Sequence, residues 1–149
     1  MNSLSFKINH SNFNDVFNHL DACKKDFVPR LDEYTSIKEY SEKILKKAER
    51  FEVWSNSELV GLIAVYFNLN KNSSFITSFS VKNDYIGSSL GKKLLLFFED
   101  YITKKTTVKE TSLEVYISNV RALKFYKKNG YKIINSSKNK YQLKKDINE

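Results

Sequence analysis

The sequence predicts a mixed β-sheet with helices packed on it, an α/β or α+β fold. Three observations lead there. Apolar residues alternate with period two in some short stretches and recur at i, i+3, i+4 and i+7 in others. The patterns succeed one another as one strand, two helices, three strands, a helix, a strand, a helix and two strands. The chain of 149 residues is 41% hydrophobic and 28% charged, an ordinary globular composition that reads as one domain over residues 1–149, with no repeat or linker.

Ser3 to Ile8 alternates as a first strand. Phe13, Val16, Phe17 and Leu20 then share one helical face, and that helix stops before Pro29. Asp26 to Tyr34 reads as a loop with exposed aromatics. Ser36 and Glu39 have the spacing of a capping box, in which each side chain bonds the other's amide. Ile37, Tyr40, Ile44 and Ala48 continue as the second helix. Phe51–Ser55 and Leu59–Asn68 are strands joined by a turn at Asn56, Ser57 and Glu58. After a polar turn at Asn70–Ser74, the strand Ser74–Val81 puts Phe75, Thr77, Phe79 and Val81 on one side. Ile76, Ser78 and Ser80 fall on the other.

Leu90, Leu94, Leu95, Phe98, Tyr101 and Ile102 form the broad stripe of a third helix. Thr111–Ile117 is a strand, and Asn119–Asn129 a fourth helix closed by Gly130 at its left-handed C-terminal position. Tyr131–Ile134 and Lys140–Leu143 make a closing hairpin.

Composition excludes several classes. The first ten residues lack the apolar stretch of an export signal, and the longest apolar runs are too short to span a bilayer. One cysteine, Cys23, forms no internal disulfide and reads as a small packing residue, so a cytoplasmic setting is expected. The net charge of +8 invites a nucleic-acid reading. The lysines are spread in pairs, however, and the three arginines, Arg30, Arg50 and Arg121, form no block, so no nucleic-acid partner is expected.

Asn83 to Lys92, NDYIGSSLGK, carries the first functional signal. A helix N-terminus presents unpaired amides and a positive dipole end, where a phosphate fits. Small residues ahead of it let those amides converge, and Gly87, Ser88, Ser89 and Gly91 are small. Alone, the stretch is equally a turn and cap. It is neither a P-loop nor a dinucleotide fingerprint, because both spacings are absent.

In context the loop resembles the central motif of the GCN5-related N-acetyltransferase (GNAT) superfamily. Phe79-Ser80-Val81 ends a hydrophobic strand, and the small residues lead into Leu94-Leu95. Ile86 stands at the family's Arg/Gln position, Ser89 at its first Gly and Gly91 at its final Gly or Ala, so two of three marked positions depart. Ser89 replaces that glycine on condition that its φ stays negative or only mildly strained. Downstream, Asn119, Ala122, Phe125, Tyr126, Gly130 and Tyr131 fill every marked position of the family's second signature.

The resemblance implies a mixed, mostly antiparallel sheet of six to seven strands, splayed at its centre, with about four helices. It implies that Ser74–Val81 and Leu113–Ile117 part, and that an acetyl-CoA arm enters the gap. The cofactor-binding set it implies is Phe79, Ser80 and Val81 on the strand, with Ile86, Gly87, Ser88, Ser89, Leu90, Gly91 and Lys92 at the phosphates. Asn119, Ala122 and Tyr126 follow downstream, and no metal is expected. Asn119 is also a natural helix N-cap. Tyr126 is implied as the general acid that protonates the departing thiolate; on helical spacing alone it is a core aromatic. The base stays unassigned among Glu114, His10, His19 and a water relay.

The acceptor is expected at Phe27, Tyr34, Tyr40 and Tyr66, where Asp26, Asp32 and Glu33 are either ammonium partners or solvated loop charges. A small amine such as an amino sugar or a polyamine-like molecule is expected, with a protein N-terminus or lysine, or a non-catalytic acyl-CoA-binding module, as alternatives. Homodimers are common in the family, but no residue pattern here compels one.

Overall fold

A computed structural model describes residues 3–147. The elements run β1 (Leu4–Ile8), α1 (Phe13–Cys23), α2 (Ile37–Lys47), β2 (Glu49–Ser55), β3 (Glu58–Asn68), β4 (Ser73–Val81), α3 (Leu90–Lys105), β5 (Glu110–Tyr116), α4 (Val120–Lys128), β6 (Lys132–Ser136) and β7 (Lys140–Asp146). The seven strands form one sheet in the order β1-β2-β3-β4-β5-β7-β6. All neighbours are antiparallel except β4 and β5. The expected fold class is therefore observed.

Strand β3 explains how the layers divide. Leu59 to Val65 is buried throughout, as a strand covered on both faces must be. Ile63 and Val65 join Leu94, Leu95, Phe98 and Ile102 of α3 in one core cluster. Leu62 and Ala64 join Val16 and Leu20 of α1 and Ile44 of α2 in the other. Alternation along one strand thus assigns α3 to one face and α1 with α2 to the opposite one. Phe98 is fully buried, a burial that contributes about 1.5–3 kcal/mol.

The helix starts differ from expectation. The complete capping box is at α1, where the Asn12 side chain accepts from the Asp15 amide at 3.0 Å and Asp15 accepts from the Asn12 amide at 2.9 Å. At α2 only the Ser36 half forms, accepting from the Glu39 amide at 3.1 Å. Phe13 and Phe17 are half-buried and stack on each other. His19 and Cys23 are the residues that complete the buried stripe of α1. The connection after α1 contains two short 3₁₀ turns; Leu31, which opens the second, is fully buried, while Tyr34 is exposed as expected.

Strand β4 corrects the expected facing of two residues, Ile76 and Phe75, the latter pairing with Tyr66 of the opposite layer. Its register jumps from Ala64↔Ser78 to Val65↔Ile76, leaving Thr77 as an extra, unpaired residue. This bulge returns Ile76 to the side of Phe79 and Val81, with which it packs, rather than leaving it beside Ser78 and Ser80.

Candidate active site

The site begins where the sheet stops being a sheet. β4 and β5 pair only through Ser73↔Glu110, Ser74↔Thr111 and Phe75↔Ser112. Beyond those rungs the strands part, while β5 stays fully paired with β7. The β4 edge from Ile76 to Val81 therefore lines a gap in which its backbone groups can pair with an added chain.

On the α3 side of the gap, the backbone of the loop is built to present amides. Tyr85 and Ile86 amides donate to the Lys82 and Asn83 carbonyls at 2.8 and 3.1 Å, closing a tight turn. Gly87 (φ +87°) and Ser89 (φ +66°) are both left-handed. Such residues curl successive N–H groups into an anion-binding concavity. Ser89 is the N-cap of α3 but makes no side-chain cap, so no side chain covers the first-turn amides of Leu90, Gly91 and Lys92. The φ of Ser89 is positive rather than negative, the mildly strained alternative of the expectation. Ile86, Ser88 and Lys92 are exposed around this turn.

Asn119 caps α4, its Oδ1 accepting from the Ala122 amide at 3.2 Å. One turn on, Phe125 and Tyr126 reach back to β4. The Phe79 ring meets Phe125 edge-on at 5.6 Å and Tyr126 at 6.1 Å. Tyr131 packs on Tyr126 from behind at 5.5 Å. Burial pushes the Tyr126 phenol well above its usual range, so it is held protonated with a proton to donate. Tyr131 in turn donates to Glu99 of α3 at 2.8 Å, and Lys145 donates to the same carboxylate at 2.8 Å.

The opposite side of the gap is walled by α1, α2 and their connection. Tyr40 of α2 reaches the Thr77 carbonyl at 3.4 Å, and Tyr66 of β3 and Phe27 pack against the same lower core. Burial, with the facing phenols of Tyr40 and Tyr116, pushes Tyr34 up to about 12. Tyr34 itself is 56% exposed, at the rim of this wall. Tyr116 escaped the sequence reading because it lies on β5, outside the region expected to bind the acceptor. Ser80 turns its hydroxyl to this side too, against His19, leaving only its backbone for the gap.

His19 is 1% exposed, its Nδ1 3.0 Å from the Leu59 carbonyl and its Nε2 2.9 Å from Ser80 Oγ. A carbonyl only accepts, so Nδ1 carries the proton and Nε2 accepts from Ser80. Burial lowers this histidine to about 4. Among the described residues no group of His, Cys, Asp or Glu is arranged to hold a metal, and no helix is long and apolar enough to cross a membrane. A groove of about 680 Å³ lined by Phe6, Leu96, Phe97 and Lys145 lies on the outer side of α3 and shares no residue with the gap.

A parted parallel pair, an uncapped helix start on one side and a buried tyrosine at the wall define an acyltransferase fold and site. The sequence model of the acetyltransferase (GNAT) family matches residues 13–131. The chain belongs to that family and is an N-acetyltransferase. Similar solved structures include the PaiA N-acetyltransferase of Thermoplasma acidophilum in complex with coenzyme A. It shares 21% identity over 95% of this chain and 99% of that one, with a TM-score of 0.76. The ribosomal-protein-S18-alanine N-acetyltransferase of Escherichia coli shares 18% identity over 100% and 96%, TM-score 0.76. A chimera of the Vibrio cholerae spermidine N-acetyltransferase shares 17% over 97% and 95%, TM-score 0.75. No curated protein matches by sequence.

Proposed function

We propose that the protein moves an acetyl group from acetyl-CoA to the primary amine of a small molecule, an amino sugar or polyamine-like compound, by direct transfer in a ternary complex. The parting of β4 and β5 after Phe75 and Ser112 carries the reading, because it opens one gap to two faces of the sheet. On the α3 face, the left-handed Gly87 and Ser89 and the uncapped first turn of α3 fit a pyrophosphate. The arm would pair with the β4 edge at Phe79 and Val81. On the α2 face, Tyr34, Tyr40 and Tyr66 fit a compact acceptor. The PaiA relative was solved with coenzyme A, and another relative is a spermidine acetyltransferase; both agree with a coenzyme A donor and an amine acceptor.

The amine nitrogen attacks the thioester carbon, the C–S bond breaks, and Tyr126 supplies the proton to sulfur. Its phenol, protonated through the working pH range, stabilises the thiolate as charge develops. Thermal shift with coenzyme A followed by thiol release over a panel of amines tests the proposal. Ligand at 100 times Kd should add about 2.7 kcal/mol. Tyr126→Phe should retain that shift and lose about 10²-fold or more in turnover; turnover within about twofold of the parent would refute the acid role.

A further inference from the structure

Resting on that reading, we propose that the acceptor nitrogen is received by neutral oxygens at the β4 bulge, Ser78 Oγ and the Thr77 carbonyl beside the Tyr40 phenol. We further infer that no side chain acts as its base: the acceptor reacts as the free amine, and its own ionisation sets the acid limb of the rate profile, where the rate rises with pH.

The bulge supplies the observation. Ser78 is 5% exposed, and among the described residues its hydroxyl makes no hydrogen bond of good geometry, the nearby Tyr40 phenol being its closest polar neighbour. A buried hydroxyl left unpaired is unfavourable, and functional sites are where such groups persist. Thr77, next to it, has no partner in the β3 register. Its carbonyl accepts only a long bond from Tyr40 at 3.4 Å. Both residues lie beyond the last rung between β4 and β5, so they border the gap on the acceptor side. An amine offers the donors these oxygens lack.

The surrounding groups explain the absence of a base. From α1, His19 has both ring nitrogens engaged, and Cys23 is pushed up to about 12 by burial. From the α1–α2 connection and α2, the Tyr34 and Tyr40 phenols are raised, chiefly by burial, and from α4 so is Tyr126; all three are donors rather than bases. Tyr66 on β3 and Tyr116 on β5 add two further phenols. Of the carboxylates on this side, Glu114 on β5 is half-exposed and turned to Lys140 of β7 at 3.8 Å, Asp32 is paired with Arg30 at 2.6 Å, and Asp26 lies in the turn after Cys23. That lysine also lies over the Tyr116 ring at 4.9 Å, placing a positive charge where an ammonium would be drawn. Lys82 at the far end of β4 is paired with Glu58. A neutral, partly desolvated cradle beside a fixed cation favours the uncharged amine.

The protons balance without an enzymic base. The ammonium releases one proton to solvent before attack. The free amine forms the N–C bond, the C–S bond breaks, and the nitrogen's next proton leaves to water while sulfur takes the Tyr126 proton, which solvent restores. One proton is released per turnover.

The test uses the full chain, saturating acetyl-CoA and primary amines of similar size and rising basicity: 2,2,2-trifluoroethylamine, propargylamine, 2-methoxyethylamine and n-propylamine. The midpoint of the acid limb of kcat/KM, where the rate rises with pH, should move one for one with the amine's own pKa. Glu114→Gln should leave each midpoint in place and kcat/KM within about threefold, the size expected of an exposed charge. Ser78→Ala should raise the amine KM about tenfold with coenzyme A affinity unchanged. It should also raise, not lower, the melting temperature of the free protein, which a merely structural hydroxyl would not do. A midpoint common to all amines, or a limb lost in Glu114→Gln, overturns the absence of a base. An unchanged amine KM in Ser78→Ala overturns the cradle. Turnover of no amine while coenzyme A still binds refutes the small-amine reading itself, and this inference with it.

Discussion

Lowering the pH from 7.5 to 5 should destabilise the protein through one residue, His19. In the unfolded chain a histidine titrates near 6.5; in the fold, burial holds His19 at about 4. Its folded value is depressed, so the unfolded state takes up the proton first. Stability is complete above about pH 6.5 and is lost as the pH falls toward 4. The ceiling of that loss is about 3.4 kcal/mol, and at pH 5 about 2 kcal/mol of it has been reached. For a chain of this length, about 2 kcal/mol lowers the melting temperature by about 4–8 °C.

Carboxylates titrate in the same range, so the comparison is with His19→Gln. The glutamine amide can donate to the Leu59 carbonyl and accept from Ser80, and it does not ionise. Urea unfolding of both proteins at the two pH values isolates the histidine contribution. The parent should lose about 2 kcal/mol more than the variant. Equal losses would show that the native histidine takes up its proton as readily as the unfolded one, and the buried neutral tautomer would be refuted.

Two further predictions concern stability near the site. Ser89→Gly should raise stability by about 0.5–1 kcal/mol, the relief of a left-handed non-glycine residue less the added freedom of the unfolded chain; a calorimetric loss would show that the serine hydroxyl contributes more than its φ of +66° costs. Tyr131→Phe should cost about 1.5–3 kcal/mol in denaturant unfolding, because the buried Glu99 loses a charged-acceptor bond of 2.8 Å; a cost under about 0.5 kcal/mol would show that Lys145 alone satisfies that carboxylate.

Periodicity made most of the fold legible. The stripe Leu90, Leu94, Leu95, Phe98 and Ile102 is buried as spaced, and Gly130 is left-handed at the end of α4. Strand ends shifted by one to three residues, as hydrogen-bonded boundaries do. Ile76 was misplaced because a bulge resets a period-two pattern and leaves no trace in residue type. Glu99 and Glu52 carry no sign of burial in the sequence, yet are 7% and 0% exposed. Glu99 is met by the distant Tyr131 and Lys145, and Glu52 by the distant Ser11 together with its strand neighbours Arg50 and Trp54. Such pairing is a tertiary fact. At the site, the signature from Asn119 to Tyr131 located α4 and Tyr126. Tyr116 and Ser78 were missed, since a tyrosine and a serine on strands carry no chemical pattern until the strands part.

The distribution of local cost separates scaffold from site. Away from the gap, the fold satisfies what it buries: α1 has a full capping box, and Glu52 and Glu99 are each met by several donors. Of the four non-glycine residues with positive φ, three are asparagines, which tolerate that conformation. Ser89, the exception, is at the expected phosphate loop. The two buried side-chain oxygens without partners among the described residues are Ser78 Oγ and Thr111 Oγ1. Thr111 stands on one of the last rungs between β4 and β5, and Ser78 just past them. An uncapped α3, a strained serine and two orphaned hydroxyls therefore border a single parting of the sheet. Stability alone would have removed each by a one-residue change, since glycine at Ser89 or alanine at Ser78 is sterically simpler. Their coincidence at one place is what a site that binds and releases its ligands requires: groups left unsatisfied in the free protein, available to the molecule that fills the gap.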